Sequence, residues 1–152
     1  MTDHQGISPQ RRSRIAAIQA LYQLNFFAGE KSTADVLADI ENYYLKYDDD
    51  SSSKEQINMN FIKELLNYAA QNQEDIDKVI SERLTAGWTL TRISSNLLSL
   101  LRIAVAEITK FKETDAAIIL NEYVDLAKVF ENEQGSKFVN ASLDKVIKNI
   151  RG

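Results

Sequence analysis

Proline and glycine are so sparse in this chain that few folds are open to it. It has one proline, Pro9, and five glycines in 152 residues, and neither type interrupts the long central segments between Gly29, Gly87 and Gly135. A turn-rich β fold needs such residues at frequent intervals, so an all-α fold is expected.

Apolar spacing divides the chain into about seven helices. Ser8 is a good N-cap, and Pro9 sits at the first helical position, where its missing N–H costs nothing. Ile15, Ile18, Leu21, Tyr22 and Leu24 follow at helical spacing, and Gly29 is a plausible stop. Ser32 or Thr33 caps a second helix with Val36, Leu37, Ile40, Tyr43 and Tyr44 as its apolar residues. The run Asp48 to Ser53 is too polar to bury and reads as a loop. A third helix begins near Asn58 and carries Phe61, Ile62, Leu65, Leu66 and Tyr68, until Gln71-Asn72-Gln73 breaks it.

A fourth helix holds Ile76, Val79, Ile80 and Leu84 and ends at Gly87 before Trp88. The fifth, capped by Ser94 or Ser95, is apolar on nearly every side from Leu97 to Ile108, which marks it as the most buried. Thr114 caps a sixth, and a seventh follows Gly135, with Phe138, Val139, Leu143, Val146, Ile147 and Ile150. Such helices form one bundle or two packed helical bundles. The division falls near 72–74, giving an N-terminal bundle of about 8–72 and a C-terminal bundle of about 73–150. Each half is small for a core of its own, so the two count as one domain. Residues 1–7 are expected to be disordered.

Composition excludes several kinds of chemistry. There is no cysteine, hence no disulfide framework and no thiolate zinc site. The one histidine, His4, lies in the leading segment, away from any helical carboxylate with which it would form a dyad or a metal site. No Walker lysine loop or Gly-rich dinucleotide turn occurs, and Asp48–Asp50 lack the remaining spacing of a calcium loop. Glu107 and Glu122 fit surface or capping roles better than an acid–base pair. No catalytic residue, metal or cofactor is therefore assigned, and an enzyme is not expected. No apolar run approaches the roughly 20 residues of a membrane span, and no signal peptide is read, so the expected location is cytoplasmic.

The net charge of -4 hides an uneven distribution. Arg11, Arg12 and Arg14 lie at one end, and Lys137, Lys145, Lys148 and Arg151 at the other, with acidic residues collected between. The two ends make a basic patch if folding joins them. Arginine grips phosphate through paired, charge-assisted bonds. Three arginines at a helix start also oppose the helix dipole, an arrangement easier to understand if they hold an anion. Tyr22, two turns beyond Arg14, and Phe138, beside Lys137 and Asn140, are rings on which unpaired bases can stack. Taken singly, each ring fits a core position better; only a grouping with the arginines favours stacking.

Three stretches together resemble the NusB family. The first runs from Arg11-Arg12-Ser13-Arg14 into Gln19-Ala20-Leu21-Tyr22; the second is Leu101-Arg102-Ile103-Ala104-Val105-Ala106-Glu107-Ile108. The third is Asn121-Glu122-Tyr123-Val124-Asp125-Leu126-Ala127-Lys128, followed by Lys137-Phe138-Val139-Asn140 and Leu143-Asp144-Lys145. The resemblance implies an all-α fold of two packed helical bundles and a role in transcription antitermination. It implies binding of boxA-type single-stranded RNA from ribosomal RNA leaders, ribosomal protein NusE as partner, and action on the transcribing RNA polymerase complex. By the same resemblance Arg11, Arg12 and Arg14 hold phosphates and Tyr22 and Phe138 stack on bases, with Gln19, Gln134, Lys137 and Asn140 in or near the site. Leu97, Leu98 and Arg102 fall to the partner surface. Arg102, Glu107, Asn121 and Glu122 match family positions, and buried pairing and helix-terminus support are the roles that suit them better.

The chain departs from the family pattern in places. Leu97 and Leu98 replace a charged pair, Ala141 replaces the usual glycine, and Gln134-Gly135 stand where acidic residues commonly precede Lys-Phe. A helical protein-interaction module without RNA binding is the alternative function, and a homodimer is left open. A relative of the RNA-recognition domain that precedes some ribosomal-RNA methyltransferases is a third class; these 152 residues leave no room for a methylating α/β domain.

Overall fold

The computed structural model describes residues 8–46, 57–84 and 89–152, apart from the side chains of Leu45 and Lys46. The expectations for residues 1–7 with His4, for the Asp48–Ser53 loop, and for Gly87 and Trp88 lie outside the described residues. Among those described there are seven α-helices and no strand: α1 Pro9–Phe26, α2 Thr33–Lys46, α3 Met59–Gln71, α4 Gln73–Glu82, α5 Ser95–Lys110, α6 Ala116–Phe130 and α7 Glu133–Arg151. A short 3-10 turn, Leu90–Arg92, precedes α5. The chain divides into two compact units between Asn67 and Tyr68, within α3 rather than at the break that follows it.

In the first unit, the Ser8 side chain accepts the Arg11 N–H at 3.1 Å and so starts α1. Ser13, wholly buried, then serves two helices. Its hydroxyl donates to the Pro9 carbonyl and accepts the Asn58 N–H, each at 2.8 Å. Asn58 in turn accepts the Phe61 N–H and starts α3. Ser13 thus ties the entry of α3 to the first turn of α1. The buried side of α1 carries Ala16, Ala17, Ile18, Ala20 and Leu21; α2 supplies Val36, Leu37 and Ile40 to the core, and α3 Phe61, Ile62, Leu65 and Leu66. The α1–α2 turn passes through Gly29 at φ +85, a left-handed conformation that favours glycine. Ser32 rather than Thr33 caps α2, through reciprocal bonds between Ser32 and Asp35.

In the second unit, α5 is the central element. It buries Leu97, Ser99, Leu100, Leu101 and every residue from Ile103 to Ile108, and it packs on α4, α6 and α7. Ser94, not Ser95, caps it by accepting the Leu97 N–H. The break before α4 is made by Asn72, whose side chain and main chain both donate to the Tyr68 carbonyl. Helix α4 ends at Glu82, so Leu84 follows the helix instead of belonging to it.

Two helix starts differ from expectation. Asp115, one residue after Thr114, caps α6 by accepting the Ala117 N–H. Helix α7 begins at Glu133, capped by the Asn132 side chain, which accepts the Gly135 N–H at 2.7 Å. Gly135 therefore lies inside the first turn. A Cβ there would come within 2.9 Å of the Glu131 Cβ, so the glycine serves close approach and not helix initiation.

Arg151 also leaves the role that its charge suggested. Its guanidinium donates to the carbonyls of Ile108, Phe111 and Thr114 at 2.6–3.1 Å. These are groups that the end of α5 and the turn after it leave without helical partners. The C-terminal arginine is thus a helix cap in the second unit and is withdrawn from the expected basic patch.

Candidate nucleic-acid interface

Helix α1 sorts its residues by the 3.6-residue repeat. Ser13, Arg14, Ala16, Ala17, Ile18, Ala20 and Leu21 are buried. The opposite side carries Arg11, Arg12, Ile15, Gln19, Tyr22, Gln23 and Phe26, all half-buried or exposed. Four of the residues singled out from the sequence, Arg11, Arg12, Gln19 and Tyr22, thus share one face of a single helix. The face is basic at its N-terminal end and aromatic at its C-terminal end, and spans about 22 Å at the helical rise.

Arg14 does not join them. It is 5% exposed, and its guanidinium lies over the Phe61 ring, 5.7 Å from the centroid. An arginine in that position fastens α1 to α3 through a cation–π contact; it presents little of itself to a phosphate. Arg12 acts electrostatically on Tyr44 of α2. Burial raises the Tyr44 hydroxyl pKa above its ordinary value, the Arg12 charge lowers it, and Tyr43 raises it. Tyr44 of α2 thus lies within electrostatic reach of Arg12, and Tyr43 is exposed and edge-on to Tyr44.

At the other end of the face, Tyr22 and Phe26 stack, with ring centroids 6.1 Å apart and planes 14° from parallel. Phe27 meets Phe26 edge-on at 4.9 Å, and the Lys31 ammonium sits 4.8 Å from the Phe27 centroid while paired with Asp39. The sequence reading did not include Phe26. The signal was present in its i,i+4 spacing from Tyr22.

On α7, in the second unit, Gln134, Lys137 and Asn140 are exposed and Phe138 is half-buried. Lys148 pairs with Asp144 at 3.1 Å on the surface of the same helix. The partner-surface residues on α5 fare differently from one another. Leu97 is buried in the core of its unit, so of that pair only Leu98 reaches the surface. Arg102 makes a two-pronged ion pair with Asp77 of α4, both contacts at 2.8 Å, which fits the pairing role. Glu107, also buried, accepts the Tyr123 hydroxyl at 2.6 Å. Asn121 is exposed on α6 and takes no part in buried pairing.

An all-α protein of two helical units, with a basic and aromatic face on its leading helix, is the class that these observations define. Residues 11–148 match the NusB family model. A transcription antitermination protein NusB from Mesorhizobium japonicum is 36% identical over 140 residues, covering 92% of this chain and 89% of that protein. The structure of T. maritima NusB superposes with a TM-score of 0.73 at 29% identity, covering 93% of this chain and 92% of that one. A crystal structure of antitermination factors NusB and NusE in complex with dsRNA has the same fold, with a TM-score of 0.71 at 22% identity and coverage of 91% and 96%. The chain belongs to the NusB family, whose named relatives are transcription antitermination proteins. No described helix is long and apolar enough to cross a membrane.

Proposed function

We propose that the protein is an RNA-binding adaptor of transcription antitermination. It takes boxA-type single-stranded RNA from ribosomal RNA leaders and acts with ribosomal protein NusE on the transcribing polymerase complex in the cytoplasm. The observation that carries this reading is the accessible face of α1, where Arg11 and Arg12 share a side with Gln19 and Tyr22. Two guanidinium groups bind phosphate through paired bonds, the glutamine amide suits a base edge, and the tyrosine ring offers a stacking surface. Gln134, Lys137, Phe138 and Asn140 on α7 supply a second set of the same chemistry.

Arg14 has a changed part in this scheme. Held over Phe61, it fixes the first turn of α1 and so orients Arg11 and Arg12, which make the phosphate contacts. Leu98 contributes the apolar element of the protein-partner surface, and Arg102 supports that surface through Asp77. The named complex of NusB with NusE and RNA supports both partners for a member of this family.

A titration of labelled boxA-like RNA with the wild type and with an Arg11→Ala/Arg12→Ala variant, with and without NusE, tests the reading. Affinity should fall steeply with salt, and the variant should lose about 1.4 from the slope of log affinity against log salt. Equal binding and equal slopes for the two proteins would remove the arginine assignment. NusE binding with no RNA affinity would favour a protein-only module.

A further inference from the structure

Phe26 is 68% exposed, on a helix whose other side is packed into the core of its unit. Its ring is nevertheless held in place. Tyr22, one turn earlier, lies nearly parallel to it, and Phe27 abuts it edge-on. Phe27 is steadied in turn by the Lys31 ammonium over its ring, and Lys31 by Asp39. The result is a flat apolar surface of fixed orientation that faces outward. It continues the helix face that begins with Arg11 and Arg12, with Gln19 and Gln23 along its length.

We infer that Phe26 is a second base-stacking residue, so that the bound RNA strand runs along α1 with phosphates at the arginine end and bases on Tyr22 and then Phe26. The inference rests on the RNA-binding reading above and adds to it a residue and a direction. An unpaired base is the occupant that this chemistry fits. The ring is planar and exposed, it follows a tyrosine at helical spacing, and a basic group that attracts a polyanion shares its face. Glutamine amides beside the rings can bond the edge of a stacked base, whereas a purely apolar partner would leave them unmatched.

The test is an anisotropy titration of an unstructured, labelled boxA-like oligonucleotide against the full chain. It compares the wild type with Phe26→Ala, Phe26→Leu, Phe26→Trp and the Arg11→Ala/Arg12→Ala variant at several salt concentrations. Phe26→Ala and Phe26→Leu should each weaken binding on the order of tenfold, and Phe26→Trp should retain it. The salt slope should stay unchanged in all three, because no phosphate contact is removed, and should drop only in the arginine variant. Circular dichroism and a thermal melt should match the wild type, since the substituted ring is exposed. If Phe26→Ala binds as the wild type does while the arginine variant fails, the platform is overturned and the RNA reading stands. If Phe26→Leu retains full affinity, a generic apolar contact replaces stacking and the inference fails. If the wild type binds no RNA, or the arginine variant and Phe26→Ala both bind as the wild type does, the reading of the α1 face falls with it.

Discussion

The Arg14 guanidinium lies 5.7 Å from the centroid of the Phe61 ring, inside the first helical unit. Arg11, one turn earlier on the same helix, remains on the accessible side. Two arginines three positions apart are therefore divided between structure and surface by the rotation of one helix.

The division has separable consequences. Arg14→Ala should lower unfolding stability by about 1–2 kcal/mol, through loss of the cation–π contact and of side-chain packing. Arg11→Ala should lower stability less than Arg14→Ala does and should weaken RNA binding. Urea unfolding and RNA titration on the same two variants check this. A stability-neutral Arg14→Ala with a large RNA defect would reverse the assignment.

Arg151 gathers the carbonyls of Ile108, Phe111 and Thr114 with a single planar fork. Arg151→Ala should cost about 2 kcal/mol, because hydrogen bonds from a charged donor to the end of α5 are lost. Arg151→Lys should rescue little, since a point charge cannot reproduce the fork. The urea midpoint of the two variants is the measurement.

Gln134 is exposed in the first turn of α7, one turn before Lys137. Gln134→Asp adds negative charge near a helix N-terminus, which suits the helix, and sets the same charge beside a proposed phosphate site. RNA affinity should fall while stability holds or rises slightly. An unchanged or improved affinity in the titration would contradict the placement of RNA near α7.

Asp35 sits fully exposed at the start of α2, where hydrogen bonds from the Ser32 main chain and side chain lower its pKa below the usual 3.8. A depressed folded value means that the cap's contribution is fully present above the unfolded pKa and is lost as pH falls through the folded one. An NMR titration of the Asp35 carboxyl should give a midpoint below 3.8, and Ser32→Ala should move it upward.

Much of the fold was legible because the signals are local. Ser8-Pro9, Ser94 and the Gln71–Gln73 break each act within one helical turn, and α1, α5 and the end of α3 fall where those residues put them. The misread starts of α6 and α7 turned on single residues, Asp115 against Thr114 and Asn132 against Gly135. A capping side chain competes there with neighbours of nearly equal propensity.

The roles of charge were harder to read. Arg151 serves carbonyls 37–43 residues away, a relationship that no spacing announces. Arg14 did carry a signal, since it shares the i,i+4,i+7 stripe of Ile18 and Leu21, yet its neighbours Arg11 and Arg12 drew it into a cluster by type. Phe26 carried a weaker signal, its i,i+4 spacing from Tyr22. An exposed ring has no core partner to predict, and its meaning appears only beside Tyr22 on the folded helix.

The proposed function requires that an RNA strand lie along α1. Photo-crosslinking of 4-thiouridine-substituted boxA-like RNA to the full chain, with the attachment points mapped by mass spectrometry, addresses this directly. Crosslinks should concentrate at Tyr22 and Phe26 on α1 and at Phe138 on α7, and should fade with added salt. Crosslinks confined to α5 or α6, with none on α1, would contradict it.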